Sequence, residues 1–424
     1  TSRATGAYAR IRKQFKTPIG KFEGIEEALA RIAGFTYMMD SVRVMTAGAV
    51  DLGEKPAVVS AIAKFNLTES MRKVVNDAMD IHGGSGICMG PHNFMGRVYQ
   101  AVPISITVEG ANILTRSLII YGQGAIRCHP YVFTEMQAAK DEDHTRASKN
   151  FDKALFGHIG FFISNLSRAF VLGLTRSRFA KSPVEGSVKH YYQQLTHVSA
   201  AFALVSDIAM LVFGGALKRK ERLSGRLADI FSQLYIASCI LKHYEDQGVN
   251  KDDLPLVQWG CEMSLNIAQH RLSEIFRNFP IRWVARLMRF IVFPTGNYFR
   301  TPGDNQDHIL ASLLLGPSAT RDRLTDGIFV SDDPEDSVGR LEFALNKVIE
   351  SDLIEKKINH AVKMGNLKEG PQESLLKEAI ILGIINQQEL DALHAGLVAR
   401  KNAIKVDAFE HLGRIIEEQN WSKA

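Results

Sequence analysis

A glycine-rich block at residues 80–100, DIHGGSGICMGPHNFMGRVYQ, could bring the backbone close to a bound molecule. The block ends a helical pattern in small residues, and glycine has no Cβ to hold a ligand away from the main chain. Such a loop can admit a phosphate or a flat cofactor. A glycine pair after a helix is also an ordinary C-terminal cap, so the block by itself leaves both interpretations open.

Glu109 is the residue best suited to act as a base, within the block ITVEGANILTRSL at residues 106–118. Its flanks include the apolar residues Ile104, Ile106 and Val108. Desolvation among such side chains would raise the pKa of the carboxyl group towards the range useful for a base. The predicted position near the start of a helix also suits a carboxylate that only complements the helix dipole.

Helical periodicity surrounds both blocks. Apolar residues recur at spacings of three and four from Ile25 to Val42, which predicts one helix. A second helix is predicted from Pro56 to about Ile81, because proline is favoured at helix starts. Strand signals are nearly absent. The sequence therefore predicts an all-α fold that begins as an antiparallel helical bundle with one glycine-rich loop.

The later part of the chain continues the helical pattern. Helices are predicted at about 151–179, 187–217, 219–247 and 254–277. The polar, unpatterned segment from Gln137 to Asn150 is predicted to be a linker or exposed turn. The predicted division is a helical domain at 1–130, a linker at 131–150 and an additional helical region at 151–424, with a sub-boundary near 293–305.

Composition favours an ordinary soluble globular chain, with 46% hydrophobic and 23% charged residues. The four cysteines lie far apart with no CxxC pair, so no structural zinc site or disulfide framework is predicted and a reducing intracellular setting is favoured. The apolar run His197–Leu217 is nearly long enough to span a bilayer. Asp207 in its middle favours a helix buried in a protein core instead.

Three blocks in a set order resemble the acyl-CoA dehydrogenase family. YARIRKQF at residues 8–15 is similar to the family's helix with an R-x-Q-F motif. Residues 81–86 are similar to its IHGGxGY-type loop, and residues 108–116 to its YEGTxxIQR-type catalytic segment. The tail beginning at Gly122 looks like the bacterial long-chain branch, which carries an additional C-terminal helical region.

This resemblance implies FAD-dependent dehydrogenation of medium- or long-chain acyl-CoA to trans-2-enoyl-CoA in fatty-acid β-oxidation. Glu109 would be the catalytic base and, with Gly110, would contact the substrate. No metal ligand is implied. Flavin contacts are implied for Arg12, Lys13, Gln14, Asp80, Ile81, His82, Gly83, Gly84, Ala111, Asn112 and Ile113.

The resemblance also implies partners. An electron-transfer flavoprotein would be the electron acceptor, and Arg12 would reach the flavin pyrophosphate of a neighbouring subunit, which implies a homo-oligomer. Family members normally begin with a helical domain and a β-domain that this sequence does not contain. We therefore expect the chain by itself to bind flavin poorly and to turn over nothing.

Two rival functions stay open at the level of sequence. The net charge of +5 is compatible with nucleic-acid binding, although the basic residues form no concentrated stripe and nucleic acid is not expected. A catalytically dead scaffold for a membrane or protein partner is the second rival. The segment IRWVARLMRFIVF at 281–293 suits a membrane-surface helix or a packing helix with snorkelling arginines. The expected location is the cytoplasm, with peripheral contact at the inner membrane through this segment.

Overall fold

The computed structural model describes residues 1–368 and 370–408; the structure is 74% helical with almost no strand among the described residues, which confirms the predicted all-α class. The described α-helices are α1 (Ser2–Ile11), α2 (Glu23–Asp51), α3 (Ala57–His82), α4 (Gly84–Ile87), α5 (Met95–Thr107), α6 (Asn112–Leu114), α7 (Gly124–Arg127), α8 (Val132–Ala138), α9 (His144–Leu174), α10 (Lys189–Phe213), α11 (Glu221–Asp246), α12 (Leu254–Asn278), α13 (Arg282–Val292), α14 (Asp304–Leu314), α15 (Ala319–Leu324), α16 (Gly339–Lys363), α17 (Gln372–Ile381) and α18 (Gln387–Ile404). A π-helix lies at Thr115–Tyr121, and 3₁₀ turns lie at Ile19–Lys21, Gly214–Arg219 and Lys251–Asp253.

The helices predicted from periodicity occur close to their expected positions. α3 begins immediately after Pro56, where the fixed φ of proline suits a helix start, and it runs to His82. α9, α10, α11 and α12 each overlap one of the four helices predicted for the later part of the chain. The predicted break in the chain after Phe293 is also present, since α14 begins only at Asp304.

The helix suggested for residues 8–15 is wrong beyond Ile11. There α1 ends, and Lys13–Gln14 pairs with Thr17–Pro18 as a two-residue antiparallel hairpin. The hairpin turns through Phe15 and Lys16, whose φ angles are 49° and 63°. Both lie in the left-handed region, so the R-x-Q-F motif occupies a helix end and a tight turn.

The linker predicted for residues 131–150 is mostly helical. α8 occupies its first part, and α9 begins at His144. The Asp143 side chain accepts hydrogen bonds from the backbone N–H groups of Thr145 and Arg146, which is the usual way to satisfy the first turn of a helix. The polar residues that looked like a linker are therefore a helix cap and the exposed first turns of α9.

The chain forms two compact units, each made of separated stretches of sequence. The first contains Thr1–Ala33, Arg72–Ala101 and the described residues from Asp307 onward. In it, α1 packs against α16 and α18. Apolar residues of the C-terminal helices share one core cluster, which includes Ile354, Ile358, Leu367, Leu376, Ile385 and Leu393.

The second unit contains Gly34–Met71 and Val102–Gln306. Its centre is the pair α11 and α12, and the π-helix packs on α11. Trp259 of α12 is fully buried and lies against Gly34 of α2. Both units combine segments that are distant in sequence. They therefore do not correspond to the consecutive domains predicted on either side of residue 130, and that division stays a prediction about the sequence.

Two helical stretches pass a length and hydropathy test for crossing a membrane, namely His144–Leu174 and Lys189–Arg219. Core helices of soluble proteins pass the same test, and 44% of the most apolar window of the second stretch is buried. Its buried residues include Val198, Leu204 and Asp207. In the first stretch only 17% of that window is buried, so α9 leaves much of its apolar surface exposed.

Candidate functional site

Glu109 lies in the turn between α5 and α6, outside any helix, so its predicted place in the first turn of a helix is wrong. α5 ends at Thr107, whose hydroxyl donates to the carbonyl of Pro103 at 3.0 Å within the last turn. The chain then reverses through two residues with positive φ, 51° at Glu109 and 106° at Gly110. Glycine adopts this conformation freely, whereas for glutamate it costs of order 1 kcal/mol or more.

The predicted desolvation of Glu109 is not supplied by the described chain, because the residue is exposed. Of the apolar flanks, only Ile106 is buried, at 8% exposure. Four apolar side chains that flank the turn along the chain, called here the apolar ring, are largely exposed: Ile104 64%, Val108 49%, Ile113 80% and Leu114 50%. Exposed apolar side chains concentrated in one segment are typical of a surface that a ligand or another protein covers.

Asn112, one of the predicted cofactor residues, is buried and serves the turn itself. Its side-chain amide donates to Thr68 Oγ1 and to Glu69 Oε1, both at 2.9 Å, and its carbonyl oxygen accepts from Lys64 Nζ at 2.6 Å. With its amide fully used, Asn112 has little capacity left for a flavin. Of the other two predicted flavin contacts here, Ile113 is exposed and Ala111 is half-buried.

Predicted flavin residues of the first unit form a second group, built around His82 at the end of α3. The His82 ring stacks on Tyr8, with ring centroids 4.2 Å apart, and Arg12 Nη1 donates to the Tyr8 hydroxyl at 2.8 Å. Tyr8 in turn donates to the His82 carbonyl at 3.2 Å. Burial lowers the pKa of His82 to about 3, so the imidazole is neutral at physiological pH.

The glycine pair after His82 gives the backbone an open approach. Gly83 has φ 55°, and a Cβ built there would meet nothing within 4 Å. His82 Nε2 is buried and has no hydrogen-bond partner in the described residues. Asp80 is exposed and Ile81 is buried, so of these two only the former can contact a ligand.

Lys13 is less suited to the predicted cofactor contact than Arg12. Its ammonium group lies 2.9 Å from Asp352 Oδ1 and 2.6 Å from Glu355 Oε2. Both carboxylates are mostly buried, and they hold the lysine on α16. Gln14 is exposed on the hairpin. No pattern in the sequence indicates the partners of Lys13, because they lie more than 330 residues away along the chain.

Family models match the parts of the chain that contain both groups. Residues 2–122 match the family model "Acyl-CoA dehydrogenase, C-terminal domain", and residues 126–409 match "Acyl-CoA dehydrogenase, C-terminal, bacterial type". The chain belongs to the acyl-CoA dehydrogenase family. The resemblance inferred from the three sequence blocks is thereby confirmed.

Curated relatives of this family member match over part of their length. A probable acyl-CoA dehydrogenase of Bacillus subtilis is 26% identical over 258 residues, which are 56% of this chain and 38% of the relative. The mouse mitochondrial very long-chain specific acyl-CoA dehydrogenase is 24% identical over 64% of this chain and 42% of its own length. The chain thus spans less than half the length of these relatives.

A solved structure shares the fold. The crystal structure of acyl-CoA dehydrogenase complexed with FAD from Bacillus anthracis superimposes with a TM-score of 0.56 at 18% identity, covering 74% of this chain and 52% of that one. At this identity the likeness concerns the fold alone. The match agrees with the helical architecture described above.

In this dehydrogenase-family chain, the segment after Glu109 is anchored by Arg116 of the π-helix. Its guanidinium group binds both carboxylate oxygens of Asp229 on α11, each at 2.6 Å. Asp229 also lies 2.6 Å from Arg271 Nε. A paired fork of this kind fixes direction as well as distance, so the π-helix is held rigidly on the second unit.

A cluster that sequence reasoning missed joins α8, α9 and α10 in the second unit. His129 Nε2 lies 3.0 Å and His158 Nε2 3.5 Å from Asp207 Oδ1, and His158 Nδ1 lies 2.9 Å from Glu135 Oε1. The spacing of these side chains could hold a metal ion. His129 Nδ1, however, accepts two backbone N–H bonds, which leaves the proton on Nε2 and makes that atom a donor to Asp207. The cluster is therefore a hydrogen-bond network in the described structure.

Proposed function

We propose that the protein carrying this chain is an FAD-dependent acyl-CoA dehydrogenase that converts medium- or long-chain acyl-CoA to trans-2-enoyl-CoA in fatty-acid β-oxidation, with Glu109 as the base. One observation carries the proposal. The described structure presents Glu109 on a strained, hydrogen-bonded turn within a ring of exposed apolar side chains, in a segment that resembles the family's catalytic motif and lies within the range matched by the family model. A carboxylate with only a dipole-balancing role would need neither the strain nor the ring.

The chemistry places two demands on this turn. The α-proton of a thioester is too weakly acidic for a carboxylate in water, so the carboxylate must be fixed against the α-carbon and water must be excluded. The turn at Glu109 and Gly110 meets the first demand because hydrogen bonds to the Gly110 carbonyl hold the backbone that carries the side chain. The apolar ring meets the second when substrate covers it, because a carboxylate that loses its hydration is a stronger base.

The residues of the first unit fit a flavin dinucleotide in part. Arg12 has no carboxylate partner in the described residues, Gly83 gives open backbone, and His82 offers the unpartnered Nε2. These three would hold the cofactor, and Arg12 suits a phosphate. Bound FAD would supply the acceptor for the β-hydrogen that leaves as hydride. Lys13 and Asn112 are occupied within the chain, so we leave them out of this role.

Anaerobic flavin bleaching tests the proposal. We would add palmitoyl-CoA to the flavin-loaded protein that carries this chain, beside the Glu109→Gln variant and a control, Glu142→Gln, which removes another exposed carboxylate. We expect bleaching in wild type and control and a flavin that stays oxidised in Glu109→Gln. If no acyl-CoA bleaches the wild type, the dehydrogenase proposal fails, and salt-dependent DNA binding and partner capture become the functions to measure.

Two partners follow from the same proposal. An electron-transfer flavoprotein would reoxidise the enzyme, and subunits would associate so that Arg12 reaches a neighbouring flavin. Rapid mixing of the reduced enzyme with an electron-transfer flavoprotein, compared with an artificial dye, tests the first. Light scattering of wild type and Arg12→Gln, with flavin content measured alongside, tests the second.

A second activity, peripheral membrane binding, is favoured by α13. Trp283, Leu287 and Phe290 are exposed on one side of this helix, at 68%, 49% and 59%. Arg286 and Arg289 line a neighbouring groove of about 500 Å³ and have no carboxylate partner in the described residues. An apolar stripe beside arginines suits an anionic lipid surface, where the arginines meet phosphates.

α9 extends this surface within the same unit. It packs against α13, and the rings of Phe170 and Phe290 lie 5.8 Å apart. Its exposed apolar residues include Leu155, Phe156, Ile159 and Ile163. We propose that the surface of α9 and α13 contacts the cytoplasmic face of the inner membrane.

Vesicle sedimentation decides this second activity. Wild type should bind vesicles that contain phosphatidylglycerol and not pure phosphatidylcholine. Trp283→Ser and the pair Arg286→Gln, Arg289→Gln should each weaken binding, whereas Leu52→Ser, which removes an apolar side chain that is 86% exposed just after α2, should not. Equal binding by all variants would refute the assignment of this surface.

A further inference from the structure

Lys64 of α3 uses its entire hydrogen-bonding capacity on the turn that carries Glu109. Its ammonium nitrogen lies 3.1 Å from the Ile106 carbonyl, 2.8 Å from the Gly110 carbonyl and 2.6 Å from Asn112 Oδ1. An ammonium group has three N–H donors and no acceptor, and here each donor has one partner. The three acceptors precede and follow Glu109 along the chain.

Two further residues of α3 bond to Asn112, which follows the turn. Thr68, one helical turn after Lys64, and the adjacent Glu69 accept the two amide protons of the buried Asn112. Thr115 donates to the Gly110 carbonyl at 3.2 Å, so this carbonyl receives two hydrogen bonds. α3 therefore fixes the position where α5 stops and the position where α6 begins.

The turn needs such support because of its backbone. Glu109 and Gly110 both have positive φ, and a non-glycine residue keeps that conformation only where its surroundings determine it. Glu109 itself is exposed, so burial of its side chain does not hold it in the described structure. Bonds to the backbone on both sides of Glu109 are what remains to set its direction.

We propose that Lys64 is a positioning residue for Glu109, which acts by holding the backbone of residues 106–112. This role rests on the proposed function of Glu109 as the base. Lys64 does not meet a phosphate or the substrate carbonyl, because its three donors are already used within the chain. Loss of the ammonium would release the Gly110 carbonyl and let the carboxylate drift from the reacting carbon.

The test uses Lys64→Met, which keeps the apolar stem and removes the ammonium, in the flavin-loaded protein that carries this chain. Lys55→Met, at an exposed lysine just before α3, is the matched control. A displacement of about 1 Å can cost about 100-fold in rate. We expect the rate of flavin reduction at saturating acyl-CoA to fall by about that factor in Lys64→Met, with flavin content and acyl-CoA affinity unchanged.

A second variant separates geometry from charge. Lys64→Arg keeps the positive charge, but a planar guanidinium cannot direct three donors at three converging acceptors. We expect it to remain at least tenfold slower than wild type, a factor well inside the cost of misplacement. Wild-type rates in either Lys64→Met or Lys64→Arg, while Glu109→Gln is inactive, would overturn the proposal.

Amide hydrogen exchange supplies a readout that does not need activity. In Lys64→Met the amides of Val108, Leu114 and Thr115, which are hydrogen-bonded to the backbone on either side of Glu109, should exchange at least tenfold faster than in wild type or Lys55→Met, because the opened turn loses its restraint. If the wild type reduces no flavin, the dehydrogenase proposal fails, whereas the restraint of the turn is judged by exchange alone. Unchanged exchange in Lys64→Met would overturn the positioning role whatever the activity.

Discussion

Gly34 is the position where adding a single carbon should damage the second unit most directly. It lies within α2, and a Cβ built there would approach three atoms of the Trp259 ring at 2.2, 2.5 and 2.6 Å. Trp259 is 1% exposed, and its ring meets Phe35 edge-on with centroids 5.3 Å apart. A rigid indole enclosed on all sides cannot swing aside, so α2 and α12 would have to separate.

Two opposing effects set the magnitude. Alanine in place of glycine favours a helix by about 1 kcal/mol. Overpacking a buried site costs typically about 1–3 kcal/mol, and a contact this short belongs at the upper end. Gly34→Ala should therefore lower the free energy of unfolding by about 2 kcal/mol as the net of these two effects.

Gly48 provides the matched control in the same helix. A Cβ there would meet nothing within 4 Å, so Gly48→Ala should gain the helix preference of about 1 kcal/mol without a clash. Urea unfolding of both variants, followed by helical circular dichroism, measures the difference. Equal stability of the two variants would refute the argument, because it would mean that the Trp259 ring yields to the added methyl group.

Three further predictions concern other parts of the chain. Burial lowers the pKa of His82 from 6.5 to about 3 on folding. The contribution of this residue to the free energy of unfolding is therefore complete above pH 6.5 and is lost as the pH falls towards 3, by about 1.4 kcal/mol per pH unit. Between pH 7 and pH 5, urea unfolding should show a smaller loss of stability in His82→Gln than in wild type. Asp229→Asn removes the carboxylate shared by Arg116 and Arg271 and should lower the free energy of unfolding by about 1–3 kcal/mol, against little change for the exposed Asp51→Asn. A thiol reagent should modify two cysteines in the folded chain and four in urea. The two that react first are the exposed Cys88 and Cys128, and the buried ones are Cys239 and Cys261.

Much of the helical architecture could be predicted because the signals are local. α3 has proline just before it and a glycine pair just after it, and both the start and the end were found within a residue or two. α9 was placed seven residues too late because Asp143 and the polar residues after it look the same in a linker and in a capped first turn. The distinction depends on where the backbone N–H groups point, which composition does not encode.

The division into two units had no local signal. α2 and α3 each belong to both units, since one end of each helix packs with one set of distant residues and the other end with another set. A continuous amphipathic pattern does not show where along a helix the packing partners change. Gly34, where the units divide along α2, looks like any helical glycine until Trp259 is found against it.

The sequence predicted which residues belong to the candidate site better than it predicted their conformation and contacts. Glu109 and His82 came from motifs, but nothing in the sequence marks Glu109 for a positive φ, because that conformation is imposed by bonds from α3. Lys64 is one of several basic residues on α3, and only its three acceptors distinguish it. Contacts between α3 and the segment after α5 join residues more than 40 positions apart.

The position and the basicity of Glu109 therefore have separate origins. The described chain fixes the position through Lys64 and Asn112, yet it leaves the carboxylate in water, with an apolar ring that nothing in the described residues covers. Since desolvation is what would make this carboxylate a useful base, reactivity must depend on whatever covers the ring. Loss of Lys64 should then lower the rate without altering how strongly the ring is covered, whereas polar substitution of Ile113 in the ring should weaken acyl-CoA binding as well. Two such variants distinguish a base that is misplaced from a base that remains hydrated.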